Sequence, residues 1–123
     1  MSYIAIDLWD KKVWLAVAVE GISMPKSIVA RTKLIDVLKK MQSEYNAHTF
    51  VVGLPYDLYG VKLKQLEKTQ KFIVKLEEIF PDIKVEGYDE RFSTLEARRD
   101  NDKDEIDDIS ASLILEGYLG SLK

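Results

Sequence analysis

The sequence predicts an α/β domain, and three observations carry that expectation. Two apolar runs, Tyr3-Ile4-Ala5-Ile6 and Val13 to Val19, are separated by a short polar connection and read as a hairpin. Two later segments repeat apolar residues with helical period. Between them lies Thr49-Phe50-Val51-Val52, a β-branched and aromatic run too short for a helix.

The first strand is expected to end at Asp7, with Trp9-Asp10-Lys11-Lys12 as the turn and Val13 to Val19 as a buried second strand. Gly21 and Pro25 interrupt the pattern, so a third strand is placed at Ser27 to Ala30, completing a meander. Thr32 is a candidate cap for a helix whose apolar positions are Leu34, Val37, Leu38, Met41 and Tyr45. Thr49 to Val52, stopped by Gly53-Leu54-Pro55, then reads as a buried parallel strand reached through that crossover helix.

A loop from Pro55 to about Gly60 precedes a second helix that turns Leu66, Thr69, Phe72, Ile73, Leu76 and Ile79 inward. Its other side carries Lys64, Lys68, Lys71 and Lys75 at intervals of four, three and four, which is one helical stripe. Such a stripe is either a track for a polyanion or an ordinary solvated face. Pro81 ends the helix, Ile83 to Tyr88 form a further strand, and Ser93-x-x-Glu96 is a capping box for a short helix. From about Glu105 to Leu119 the chain is again helical, with Asp107, Ala111, Ile114 and Tyr118 on one stripe.

Length and composition limit the alternatives. At 123 residues, 46% of them hydrophobic, the chain is expected to be one domain over 1–123 with a sizeable core. It has no cysteine, which excludes disulfides and thiolate metal sites, and a single histidine, His48, which leaves little material for histidine triads or zinc sites. No N-terminal segment joins a basic start to a long apolar run, so a cytoplasmic protein without membrane contact is expected. The net charge of −3 argues against nonspecific coating of nucleic acid by bulk positive potential. Carboxylates that bind metal also make a chain look acidic, so the charge does not exclude a nuclease.

The residues with the most chemistry in them are acidic. Asp7 ends the first strand, Asp89 and Glu90 end a later one, and Asp107 heads an apolar face of the last helix. The C-terminal edge of strands in an open α/β sheet is where ligands usually bind. Carboxylates converging there from separate elements can hold two divalent ions about 3.5–4 Å apart, which clamp the attacking and leaving oxygens of a phosphodiester. Each also has a plainer reading: Asp7 and the Asp89-Glu90 pair as turn residues, Asp107 as a partner of the helix dipole beside Asp104 and Asp108.

Motifs along the whole chain carry a resemblance. These are Asp7 with Lys11, Lys12 and Ala16; Val51-Val52-Gly53-Leu54-Pro55 with Gly60, Gln65, Glu67-Lys68 and Phe72; Tyr88-Asp89-Glu90-Arg91-Phe92-Ser93-Thr94 with Glu96-Ala97; and Asp107 leading to Ala111, Leu113-Ile114-Leu115 and Tyr118-Leu119. In this order and spacing they resemble the YqgF family, the bacterial Holliday-junction-resolvase-like proteins of the RNase H-like superfamily. The resemblance implies an RNase H-like fold, a mixed five-stranded sheet with its first three strands antiparallel and helices flanking it. It implies metal-dependent phosphodiester hydrolysis, associated with 5′-end maturation of pre-16S rRNA and earlier with branched DNA. Asp7, Glu90 with Asp89 beside it, and Asp107 would then bind Mg²⁺ or Mn²⁺. Arg91 would contact a phosphate or hold its loop, and Lys11 and Lys12 would approach the backbone. Monomer and homodimer both stay open.

The chain departs from the family in three places. Glycine is usual two residues after the first aspartate and again further along, where this chain has Trp9 and Trp14. Tryptophan there implies an altered turn and a bulkier approach to the metal, or a ring that stacks on an unpaired base, with a buried hairpin aromatic as the plainer reading. The segment from Ala97 to Asp107 is short and carries Asp100, Asp102, Asp104 and Glu105, where the family has a longer, more basic loop. A second expectation therefore stands beside the nuclease: a catalytically impaired member serving as a binding or assembly module. A third, an actin-like ATPase, shares the strand-Asp-hairpin opening but lacks a phosphate-binding glycine loop and the length for paired domains.

Overall fold

A computed structural model of the chain describes residues 1–9, 11–54, 63–89 and 110–122. The strands are β1 (Ser2–Leu8), β2 (Lys12–Val19), β3 (Ile22–Ala30), β4 (Thr49–Leu54) and β5 (Lys84–Asp89). Among the described residues the helices are α1 (Leu34–Tyr45), α2 (Leu63–Ile79) and α3 (Ser110–Ser121). The strands form one sheet in the order β3-β2-β1-β4-β5. The β1–β2 and β2–β3 pairs are antiparallel, while β4 pairs parallel with both β1 and β5. This is the mixed five-stranded α/β sheet that the sequence predicted.

Alternation along the strands sends side chains to two faces. On one, Ile4, Ile6, Val13, Leu15, Phe50 and Val52 meet Leu34, Leu38 and Met41 of α1 and Leu76 of α2. On the other, Ala5, Ala16, Ala18 and Val51 meet Ala111, Ile114, Leu115 and Tyr118 of α3. Burial of these large aliphatic groups, each contributing about 1.5–3 kcal/mol, fixes the strand register, because a slip of one residue would exchange the two faces.

Four local expectations are corrected. The first strand does not end at Asp7: β1 runs one residue further, with Asp7 opposite Trp14 and Leu8 opposite Val13 in the ladder, and Lys12 opens β2 instead of belonging to the turn. β3 begins at Ile22 and runs through Pro25. It is an edge strand, and Pro25 faces Ala16 beside a register irregularity, where a missing N–H costs no central ladder bond. Gly21 does not break the pattern but makes the β2–β3 turn: Glu20 at φ 54° and Gly21 at φ 83° are both left-handed, as a tight two-residue hairpin requires.

Thr32 does not cap α1. Arg31–Lys33 form a 3₁₀ turn, and α1 starts at Leu34 behind Lys33, which makes no side-chain cap bond. The backbone N–H of Arg31 is instead bound to Lys11 O at 3.0 Å, tying the start of this turn to the β1–β2 connection. The loop after Pro55, the Ser93 capping box and the acidic segment from Asp100 to Glu105 lie outside the described residues.

Candidate active site

Asp7 is fixed by strand geometry. Its even-numbered neighbours Ile6 and Leu8 enter the core beneath α1 and α2, so Asp7 leaves the sheet on the α3 face with Tyr3 and Ala5. There it is only 1% exposed. A carboxylate this deep is held by donors or cations, since an isolated buried charge is costly. One donor is Trp9, whose indole N–H gives a 2.9 Å hydrogen bond to Asp7 Oδ2. The turn-residue reading of Asp7 does not survive this placement.

Two further bonds hold Trp9. Its backbone N–H donates to Lys12 O at 3.0 Å, and its carbonyl accepts from Nη1 of Arg31 at 3.0 Å. Its ring meets Trp14 edge-on, with centroids 5.3 Å apart. Trp14 is 8% exposed and sits across the ladder from Asp7, filling core that a glycine would leave open. Its Nε1 is buried without a hydrogen-bond partner among the described residues. The plainer reading of Trp14, a buried hairpin aromatic, is therefore correct. Trp9 is half-buried and acts as a donor to the acid.

At the end of β5, Tyr88 and Asp89 part company. Val85 joins the α1/α2 core and a Cβ on Gly87 would meet Leu54 at 2.8 Å, whereas Tyr88 joins the α3 face. Continuing the alternation puts Asp89 on the side of Val85 and Gly87, away from Asp7. Tyr88 packs against α3 at Gly117, where an added Cβ would lie 2.5 Å from the Tyr88 hydroxyl oxygen, and its ring lies edge-on to Tyr118 at 6.5 Å. Burial, aided by Asp89, raises the Tyr88 hydroxyl above the usual tyrosine pKa, and burial with Glu86 does the same for Tyr118. Both stay neutral throughout the physiological range.

Glu90, Arg91 and Asp107 lie outside the described residues. The stripe predicted to follow Asp107 is present: Ala111, Ile114 and Tyr118 all pack on the Asp7 face. Among the described residues no three of His, Cys, Asp and Glu gather into a metal-binding group. Lys11 and Lys12 are exposed beside the β1–β2 connection, at the same end of the sheet as Asp7. His48 stands at the opposite end, its Nδ1 paired with Thr49 Oγ1 at 2.7 Å. Lys64, Lys68, Lys71 and Lys75 are exposed on α2, across the sheet from Asp7, and the last three line a groove with Arg31.

Reading the residues missed two contributors. Trp9 as a donor to Asp7 could have been found, because positions two apart on a strand share a face. Arg31 had no local signal: it reaches the Trp9 carbonyl only because β3 returns beside the β1–β2 turn.

Comparison with known proteins places this arrangement. The family model described as RuvX, Holliday junction resolvase, matches residues 1–121. The chain belongs to the Holliday junction resolvase family. This is a family of nucleases, hydrolases that act on phosphodiester bonds of nucleic acid. A protein of Acetivibrio thermocellus named as a proposed pre-16S rRNA nuclease is 34% identical over 98% of this chain and 89% of its own length. One of Caldanaerobacter subterraneus with the same name is 33% identical over 100% and 99%. A third, of Ruminiclostridium cellulolyticum, is 29% identical over 97% and 94%. The resemblance in the motifs and the family assignment agree. Among the described residues, no helix is long and apolar enough to cross a membrane.

Proposed function

We propose that this member of the Holliday junction resolvase family is a divalent-metal-dependent nuclease whose substrate is structured nucleic acid, the pre-16S rRNA foremost. The observation that carries the reading is Asp7: a 1%-exposed carboxylate on the α3 face, at the C-terminal edge of β1, with Trp9 donating to one of its oxygens. The family and the names of its relatives favour RNA processing, with branched DNA as the other candidate.

The donor chemistry fits a hard cation. Carboxylate oxygens suit Mg²⁺ or Mn²⁺, and a carboxylate offers about four lone-pair sites to donors and cations. Asp7, Glu90 and Asp107 would hold the metal, whose chemistry when bound is to activate water and stabilise the leaving oxygen. Of the adjacent acids at the end of β5, strand alternation favours Glu90 over Asp89, because it carries Asp89 away from Asp7. Arg91, Lys11 and Lys12 would meet backbone phosphates, and Trp9 would hold the Asp7 carboxylate in one rotamer.

A second reading rests on Trp14. Its ring fills the space opposite Asp7, and its N–H, without a partner among the described residues, lies in the same layer, which would suit a member that binds without cutting. Cleavage separates the two. Incubation of a pre-16S leader RNA and a four-way DNA junction with Mn²⁺ should give products with the native chain and at least about a hundredfold slower cleavage with Asp7→Asn. Equal rates for the two proteins would remove Asp7 from the chemistry, and no cleavage by either would favour the binding module.

A further inference from the structure

The groove on the far side of the sheet from Asp7 has the chemistry of a separate binding site. It encloses about 310 Å³ between the start of α1 and α2. Arg31, Lys68, Lys71 and Lys75 line it, with Leu34 and Phe72 among its apolar lining. Among the described residues no acidic one lines it, in a chain whose formal charge is −3. Among the described residues the ion pairs are Met1–Glu20 and Lys84–Glu86, neither of them in the groove, and Arg31 also donates to the Trp9 carbonyl.

Two features argue against an ordinary solvated stripe. The positive charge comes from two elements that face each other, α2 and the 3₁₀ turn before α1, which a helix surface alone does not produce. Lys64, one turn earlier on α2, is exposed but stands outside the lining, so the groove selects part of the stripe. From Lys68 to Lys75 a helix rises about 10 Å, so the three lysines form one row along the groove. Half-buried Phe72 among these cations adds an apolar surface for a base.

We infer that this groove binds an unpaired nucleic-acid strand through its phosphodiester backbone, away from the cleavage centre. The inference rests on the nuclease reading for its choice of ligand. It places the strand on the α1/α2 face, so a substrate that reaches both sites must pass around the edge of the sheet where Arg31 holds the Trp9 carbonyl. Arg31 thus belongs to the groove by its charge and to the Asp7 site by its hydrogen bond.

The test measures binding without metal, so its outcome does not depend on cleavage. Fluorescence anisotropy would compare the native chain, Lys68→Glu/Lys71→Glu and the control Lys39→Glu/Lys40→Glu, which changes the formal charge equally on exposed positions of α1 outside the groove. The probes are a labelled single-stranded RNA, the same sequence as single-stranded DNA, and the RNA as a duplex. The groove variant should bind single strands at least about tenfold more weakly than the control, with a salt-dependence slope lower by about one per lysine. Parallel loss with RNA and DNA identifies the backbone as the ligand, and loss with RNA alone identifies RNA. Equal weakening in the two doubles, or none in either, overturns the groove as a site, and tighter binding of the duplex than of the single strand overturns the assignment to an unpaired strand.

Discussion

The two faces of the sheet are built from different residues for different ends. Beneath α1 and α2 lie Ile4, Ile6, Leu15, Phe50 and Val52, large side chains with 0–1% exposure. Beneath α3 the strands offer Ala5, Ala16, Ala18 and Val51, with the bulk supplied by Trp14, Tyr88 and Tyr118 and with Asp7 in the same layer. Small strand residues let a helix approach the sheet closely, and rings with polar tips can border a buried acid. The first face is therefore a stability core, while the second exchanges packing uniformity for polar groups held at fixed positions.

That contrast is open to direct attack. The largest effect is expected from Phe50→Ala on the stability face. Phe50 is fully buried and packs edge-on to Phe80 with centroids 5.0 Å apart, so the substitution should cost about 3–5 kcal/mol in urea unfolding. A cost under about 1 kcal/mol would mean this face is not the main core. A smaller effect is expected on the α3 face from Gly117→Ala. The added Cβ meets the Tyr88 ring, and overpacking of about 1–3 kcal/mol is partly offset by about 1 kcal/mol of helix propensity. The net loss should be about 1 kcal/mol, and Tyr88→Phe in the same chain should recover part of it by removing the hydroxyl that stands 2.5 Å from the new carbon. No recovery would show that Tyr88 does not set the spacing of α3.

Much of this contrast was legible in the sequence because it depends on period. The alternation in β1, β2 and β4 and the helical spacing of Leu34 to Tyr45 and Leu66 to Ile79 give both faces and the five-strand α/β plan. Their failures have local causes. Pro25 reads as a breaker, yet an edge strand beside a register irregularity accommodates it, and edge position is a property of the whole sheet. Thr32 reads as a cap, but a bond from Arg31 N–H to Lys11 O had already fixed the entry to the helix. At the site, Asp7 was visible from the sequence and its depth was not, because burial depends on α3 returning from the far end of the chain. Trp9 and Trp14 were visible as departures from the family's glycines. That they serve differently, one as a donor to Asp7 and one as core, follows from their places on either side of the hairpin.

The proposed metal site lies on the α3 face through Asp7, while Asp89 belongs to the other side of the sheet. Calorimetric titration of Mn²⁺ into the native chain, Asp7→Asn and Asp89→Asn tests it most directly. Asp7→Asn should weaken binding by at least about tenfold to a hundredfold, as loss of a ligand does, while Asp89→Asn should stay within about threefold of native. Native affinity in Asp7→Asn together with lost affinity in Asp89→Asn would contradict it.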